Sequence, residues 1–92
     1  MSSATTTVVE LPLFQRLASA VWDDAEREEF VDYVARNPET GDVIPGTGGV
    51  RKVRWRRQGT GKRGGVRVIY FYRDAQMPLF LLLVYAKRSA KT

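Results

Sequence analysis

The chain contains neither cysteine nor histidine among its 92 residues, and these two absences remove whole classes of chemistry. Without cysteine there is no disulfide to brace a small fold and no thiolate nucleophile, and most structural zinc sites lose their ligands. Without histidine, Ser-His and Cys-His nucleophile pairs and His-ligated metals are excluded. Proton transfer near neutral pH then falls to Lys, Tyr or carboxylates, with Arg supplying fixed positive charge. Long hydrophobic runs are missing as well: the longest, Leu79 to Val84, falls far short of the roughly 20 residues of a membrane helix. Met1 to Thr7 lacks the basic and apolar regions of a signal peptide. The expectation is one domain over 1–92, cytoplasmic, without membrane contact, cofactor or metal.

Acids are scarce in one half only. Met1 to Asp42 holds nine acids against Arg16, Arg27 and Arg36, a net of −6. Val43 to Thr92 holds twelve bases against Asp74 alone, a net of +11. So lopsided a distribution points to a polyanionic partner for the second half, with nucleic acid first, because neutralised phosphates release counterions. A merely solvated basic face is the plain alternative. The cations concentrate in Gly46 to Tyr72, which carries eight Lys or Arg and no acid.

Residues 1–6 have no periodicity and read as a flexible tail. Thr7 to Leu11 is β-branched and short, a first strand. Pro12 then suits the first turn of a helix, and Phe14, Leu17, Ala18 and Val21 recur at helical spacing to about Val21. Asp23 with Glu26 three residues on reads as the capping box of a second helix, with Ala25, Phe30, Tyr33 and Val34 on its buried side and an end at Asn37, before Pro38. Asp24, Glu26, Glu28 and Glu29 suit the positive end of the helix dipole; adjacent helical acids do not converge on a metal.

Residues 37–49, NPETGDVIPGTGG, read as a loop. Arg51 to Arg57 alternates: Lys52, Arg54 and Arg56 share one face, Val53 and Trp55 the other. Residues 58–65 form a hairpin loop, Val66 to Tyr72 a third strand with Arg67 able to join the basic face, and Met77 to Tyr85 an apolar fourth strand. The order β-α-α-β-β-β is an α+β fold, an antiparallel sheet with two N-terminal helices packed on one face.

Gly59 to Gly64 spells G-x-G-x-x-G. A dinucleotide loop needs a helix N-terminus after it, and VRVIYFY reads as strand instead. A Walker A loop fails too, because Arg63 stands where Ser or Thr is required. The glycines suit a mobile hairpin that brings Lys62 and Arg63 to a phosphate. Tyr70, Tyr72 or Trp55 can offer a stacking ring for a base, or face the helices as core.

The run PETGDVIPGTGGVRKVRWRRQGTGKRGGVRVIYFY, with the later LLLVYAK, resembles the RelE/HigB-type toxins of bacterial type II toxin–antitoxin modules, from about Val9 to Lys87. That resemblance implies a RelE-like microbial RNase-type fold and a ribosome-dependent mRNA interferase, a metal-independent endoribonuclease that inhibits translation by cutting translated mRNA. It also implies a cognate antitoxin, commonly of helix-turn-helix type, through which alone operator DNA is reached. Carried over by position, the basic residues of the family's second strand fall on Lys52 and Arg54, the arginine of its R-x-x-Y strand on Arg67, and its final basic pair on Lys87 and Arg88. A tyrosine in the C-terminal extension of some relatives has no counterpart here. Its role in stacking or proton transfer then falls to Tyr70, Tyr72 or Tyr85, or goes unfilled.

The implied chemistry is attack of an RNA 2′-OH on the adjacent phosphate. Arg67 and Arg88 suit charge stabilisation, since a guanidinium stays protonated and grips phosphate as a fork. Arg54 is a poor base for that reason, whereas Lys52 can give up its proton. Catalysis is thus expected from Lys52, Arg54, Arg67 and Arg88, and RNA binding from Arg51, Arg56, Lys62, Arg63, Tyr70, Tyr72 and Lys87. The alternatives are a non-catalytic RNA- or ribosome-binding inhibitor and an inactive family member.

Overall fold

A computed structural model describes residues 5–56 and 65–86 of the chain. In order, the elements are β1 (Val8–Glu10), α1 (Pro12–Val21), α2 (Asp24–Arg36), β2 (Asp42–Val43), β3 (Val50–Trp55), β4 (Val66–Phe71) and β5 (Leu79–Ala86). The five strands form one sheet in the order β1-β5-β4-β3-β2. Both helices pack on one of its faces, so the α+β class and the placement of the helices are as the sequence pattern indicates.

Local chemistry explains both helices. Pro12 occupies the first turn of α1, where its missing N–H costs nothing, and Phe14 and Ala18 are buried four residues apart. At the start of α2, Asp23 Oδ1 accepts the Glu26 N–H at 2.8 Å and Glu26 Oε1 accepts the Asp23 N–H at 3.0 Å. This is the capping box in full, satisfying two donors that the first helical turn leaves orphaned. The helix stops at Arg36, with Asn37 bonding back to the Tyr33 carbonyl and Pro38 next.

Two features depart from the sequence reading. The sheet is mixed rather than antiparallel throughout: β1 runs parallel to β5, while the other three pairings are antiparallel. A parallel neighbour needs a crossover, and the two helices supply part of the long excursion between β1 and β5. The stretch read as a loop before β3 also contains β2, paired Asp42 to Lys52 and Val43 to Arg51. Thr47 closes that turn, its Oγ1 accepting the Val50 N–H at 3.0 Å and donating to the Ile44 carbonyl at 2.6 Å. Gly46 and Gly48 flank it with φ of 79°, which a side chain rarely tolerates.

The core lies between the helices and the sheet, built on Phe14, Ala18, Phe30 and Val34 below Val66, Val68, Tyr70, Leu79, Leu81 and Val84. An aromatic chain crosses it: Phe14 meets Trp22 edge-on, Trp22 stacks on Phe30, and Trp55 contacts Phe30 and Tyr33. Strand β5 breaks its alternation once. Tyr70 pairs with Leu81 but Ile69 pairs with Leu83, which leaves Leu82 in a bulge. Leu79 and Leu81 before the bulge, and Val84 after it, are therefore all buried on the helix side. No described helix is long and apolar enough to cross a membrane.

Candidate functional site

The site follows from the period of β3. Val53 and Trp55 pack on the helix side, so Lys52 and Arg54 emerge on the opposite, open face, and both are exposed. The observed register then assigns their neighbours, because residues paired across a sheet share a face. Arg54 pairs with Arg67, and Arg67 with Tyr85, making a row of two guanidiniums and a phenol across three strands. The next row runs Asp42, Lys52, Ile69, Leu83. Paired Cα atoms in such rows lie about 4.5–5.5 Å apart, and the rows themselves about 7 Å apart.

The electrostatics of this face are one-sided. Among the described residues the ion pairs are Arg27 with Glu10 and Asp24, Arg36 with Asp32, and Arg56 with Glu29. None includes Lys52, Arg54 or Arg67. Like charges directly opposed on neighbouring strands weaken a sheet, so the Arg54–Arg67 pair is held in place by the rest of the fold rather than contributing to it. A guanidinium can grip a phosphate with two parallel N–H bonds, and here two of them are carried by paired residues of neighbouring strands. Lys52 and Tyr85 add groups able to move a proton, and Asp42 is the one carboxylate among the described strand residues of this face.

Lys52, Arg54 and Arg67 thus come together as the alternation indicates. Arg51, Arg56, Tyr70 and Tyr72, expected at RNA, are placed elsewhere. Arg51 points to the helix side, where its Nη1 donates to the carbonyls of Gly41 at 2.8 Å and Glu39 at 3.2 Å. Arg56 follows the end of β3 toward α2, its guanidinium 3.4 Å from Glu29 and over the Trp55 ring, while Trp22 Nε1 donates to its carbonyl. Tyr70 and Tyr72 are buried and expose no ring for a base to stack on. Burial also raises the Tyr70 phenol above its ordinary range. Trp55 is core, against Phe30 and Tyr33. Lys62, Arg63, Lys87 and Arg88, and residues 1–4 of the expected tail, lie outside the described residues.

One residue that the sequence reading left among three candidate tyrosines, Tyr85, and one that it left unassigned, Trp22, flank the site. Tyr85, 42% exposed, lies beside Arg67 because the bulge at Leu82 moves it off the helix side. Trp22, in the short α1–α2 connection, anchors the chain just beyond Arg54. Both depend on the bulge and on long-range contacts, to which periodicity is blind. The G-x-G-x-x-G run is followed directly by β4, a strand and not a helix. Among the described residues no cluster of three or more carboxylates could hold a metal. No family model matches the chain.

Proposed function

We propose that the open sheet face is the RNA-cleaving surface of a cytoplasmic, ribosome-dependent endoribonuclease, the toxin of a toxin–antitoxin module. The observation that carries the reading is the Arg54–Arg67 row with Lys52 beside it, without an ion pair among the described residues, a cation arrangement that costs stability and suits a phosphate. The resemblance of residues 38–72 to RelE/HigB-type toxins supplies the reaction class. The cognate antitoxin, of helix-turn-helix type, is the proposed inhibitor.

In the proposed reaction Lys52 takes the 2′-OH proton as the 2′-oxygen bonds to phosphorus. Arg54 and Arg67 neutralise the charge that grows on the phosphorane oxygens, and the P–O5′ bond breaks with its electron pair on the 5′-oxygen, which takes a proton from solvent water. The products are a 2′,3′-cyclic phosphate and a 5′-hydroxyl. Arg88, which lies outside the described residues, is assigned to the same charge stabilisation by the resemblance alone. With few groups able to move a proton, the enzyme relies on the ribosome to align the message, since alignment supplies much of such a barrier.

Expression of the chain is expected to arrest growth, with discrete cuts in translated message by primer extension. Lys52→Ala and Arg67→Ala each abolish both effects with the fold intact. Growth restored by neither substitution refutes the assigned site. The exposure of fixed charge on this face also favours a second reading, inhibition by occupancy of RNA or ribosome; arrest without cuts identifies it.

A further inference from the structure

We propose that the outward face of α2 docks on the open sheet face of a second copy, so that the protein associates head to tail and covers its own cationic row. The inference goes beyond the RNA reading and does not rest on it: it concerns what lies against Lys52, Arg54 and Arg67 when no other anion does. Helical spacing sets the surface on α2. Phe30 and Val34 turn to the core, which leaves Asp24, Glu28 and Asp32, four residues apart and all exposed, along the outer side of the helix. Asp32 pairs with Arg36, and Asp24 comes no nearer to Arg27 than 3.9 Å. Glu28, between them, has no ion pair among the described residues.

One chain thus carries two patches that repel themselves. Carboxylates at four-residue steps weaken a helix as opposed guanidiniums weaken a sheet, and each patch relieves the other. Their spacings agree. Successive acids of the stripe rise about 6 Å along α2, and Lys52 and Arg54 lie about 7 Å apart along β3. A helix laid along β3 therefore sets Glu28 against Arg54 and Arg67 while a carboxylate one turn away meets Lys52. Apolar groups accompany both patches. Ala25 and Val31 line, with Glu28 and Asp32, an open cleft of about 750 Å³, and the half-buried Ile69 and Leu83 continue the Lys52 row. Since α2 lies on the far side of the sheet from the cations, one copy cannot make this contact with itself. The two surfaces differ, so the contact is heterologous and repeats from copy to copy unless rotation closes a ring.

The test is analytical sedimentation of the chain stripped of nucleic acid. At about 0.01 M salt the parent is expected to rise above the 10.4 kDa of one chain as its concentration approaches about 1 mM. At about 1 M salt, where screening acts within about 3 Å, it is expected to return to that mass. Glu28→Lys and Arg54→Glu should each weaken association about tenfold or more, because like charges then meet across the contact. Glu28→Lys keeps its cationic face and Arg54→Glu keeps its acidic stripe. An equimolar mixture of the two is therefore expected to form a dimer of one each, capped at both ends. Where circular dichroism shows that a reversed charge unfolds the chain, Glu28→Gln or Arg54→Gln takes its place. A parent that keeps the mass of one chain at low salt overturns the proposal. So does association that either folded variant leaves unchanged, or a mixture no heavier than its components. RNA binding is measured separately, at salt where the chain is single, and stands or falls without these results.

Discussion

Tyr70 and Arg51 face each other across β4 and β3, and both direct their polar groups to the chain between α2 and β2. The Tyr70 hydroxyl donates to the Pro38 carbonyl and accepts the Gly41 N–H, each at 2.8 Å. Gly41 itself has no room for a side chain, since a Cβ there would lie 3.0 Å from the Lys52 carbonyl and from the Tyr70 ring. Tyr70→Phe strands a buried N–H and a carbonyl and is expected to cost about 1–3 kcal/mol, measured by urea denaturation. The same residue sets an alkaline limit. Burial raises the folded-state phenol above the unfolded value of 10.0, so the folded protein holds the proton more tightly. The contribution of Tyr70 is full below about pH 10 and is lost as pH rises beyond it. Urea midpoints followed from about pH 8 to about pH 11 should fall more steeply for the parent than for Tyr70→Phe. What made Arg51 and Tyr70 look like binding residues was their position in a basic hairpin; what occupies them is a set of backbone groups that had to be satisfied.

The elements follow local rules closely enough that their order can be read along the chain. Pro12 starts α1, Asp23 and Glu26 start α2, and Pro38 follows its end. Asp23→Ala removes one half of the capping box and should cost about 1 kcal/mol of stability, seen as a lower urea midpoint. RNA binding should be unchanged, because α2 lies on the far side of the sheet from Lys52, Arg54 and Arg67. The strands are harder to read. Alternation assigned the faces of β4 and of β3 up to Trp55 correctly, since each is regular there, but Arg56, grouped with Lys52 and Arg54, lies past the end of β3 and turns toward α2. In β5 the run of leucines offers no polar residue to mark the period, and the bulge falls inside it at Leu82. The two-residue strand β2 was invisible for another reason: its pairing with β3 is made by a turn that Thr47 closes, within a segment whose composition is that of a loop.

Among the described residues the acids of α2 and the cations of the open face sit in different layers, with Asp42 the carboxylate on the cationic side. The acidic residues Asp24, Glu26, Glu28, Glu29 and Asp32 belong to α2, and Lys52, Arg54 and Arg67 to the opposite face of the sheet. A polyanion is thus attracted to one side and repelled from the other, which orients it before contact. Salt should act accordingly. Arg54→Ala and Arg67→Ala are each expected to lower the slope of log affinity against log salt for single-stranded RNA by about 0.7, the share of one phosphate contact. Arg51→Met should leave that slope unchanged and lower stability instead. By itself the sequence determined the α+β order, the helix ends, the segregation of charge and the shared face of Lys52 and Arg54, because each depends on neighbours within a few positions. Only the tertiary structure decided that Arg54 pairs with Arg67, that Arg51, Tyr70 and Tyr72 serve the fold, that Arg56 leans toward α2, and that Tyr85 stands on the open face. Those outcomes depend on cross-strand register, on a bulge and on which distant backbone groups needed partners, and none of the three is encoded in local spacing.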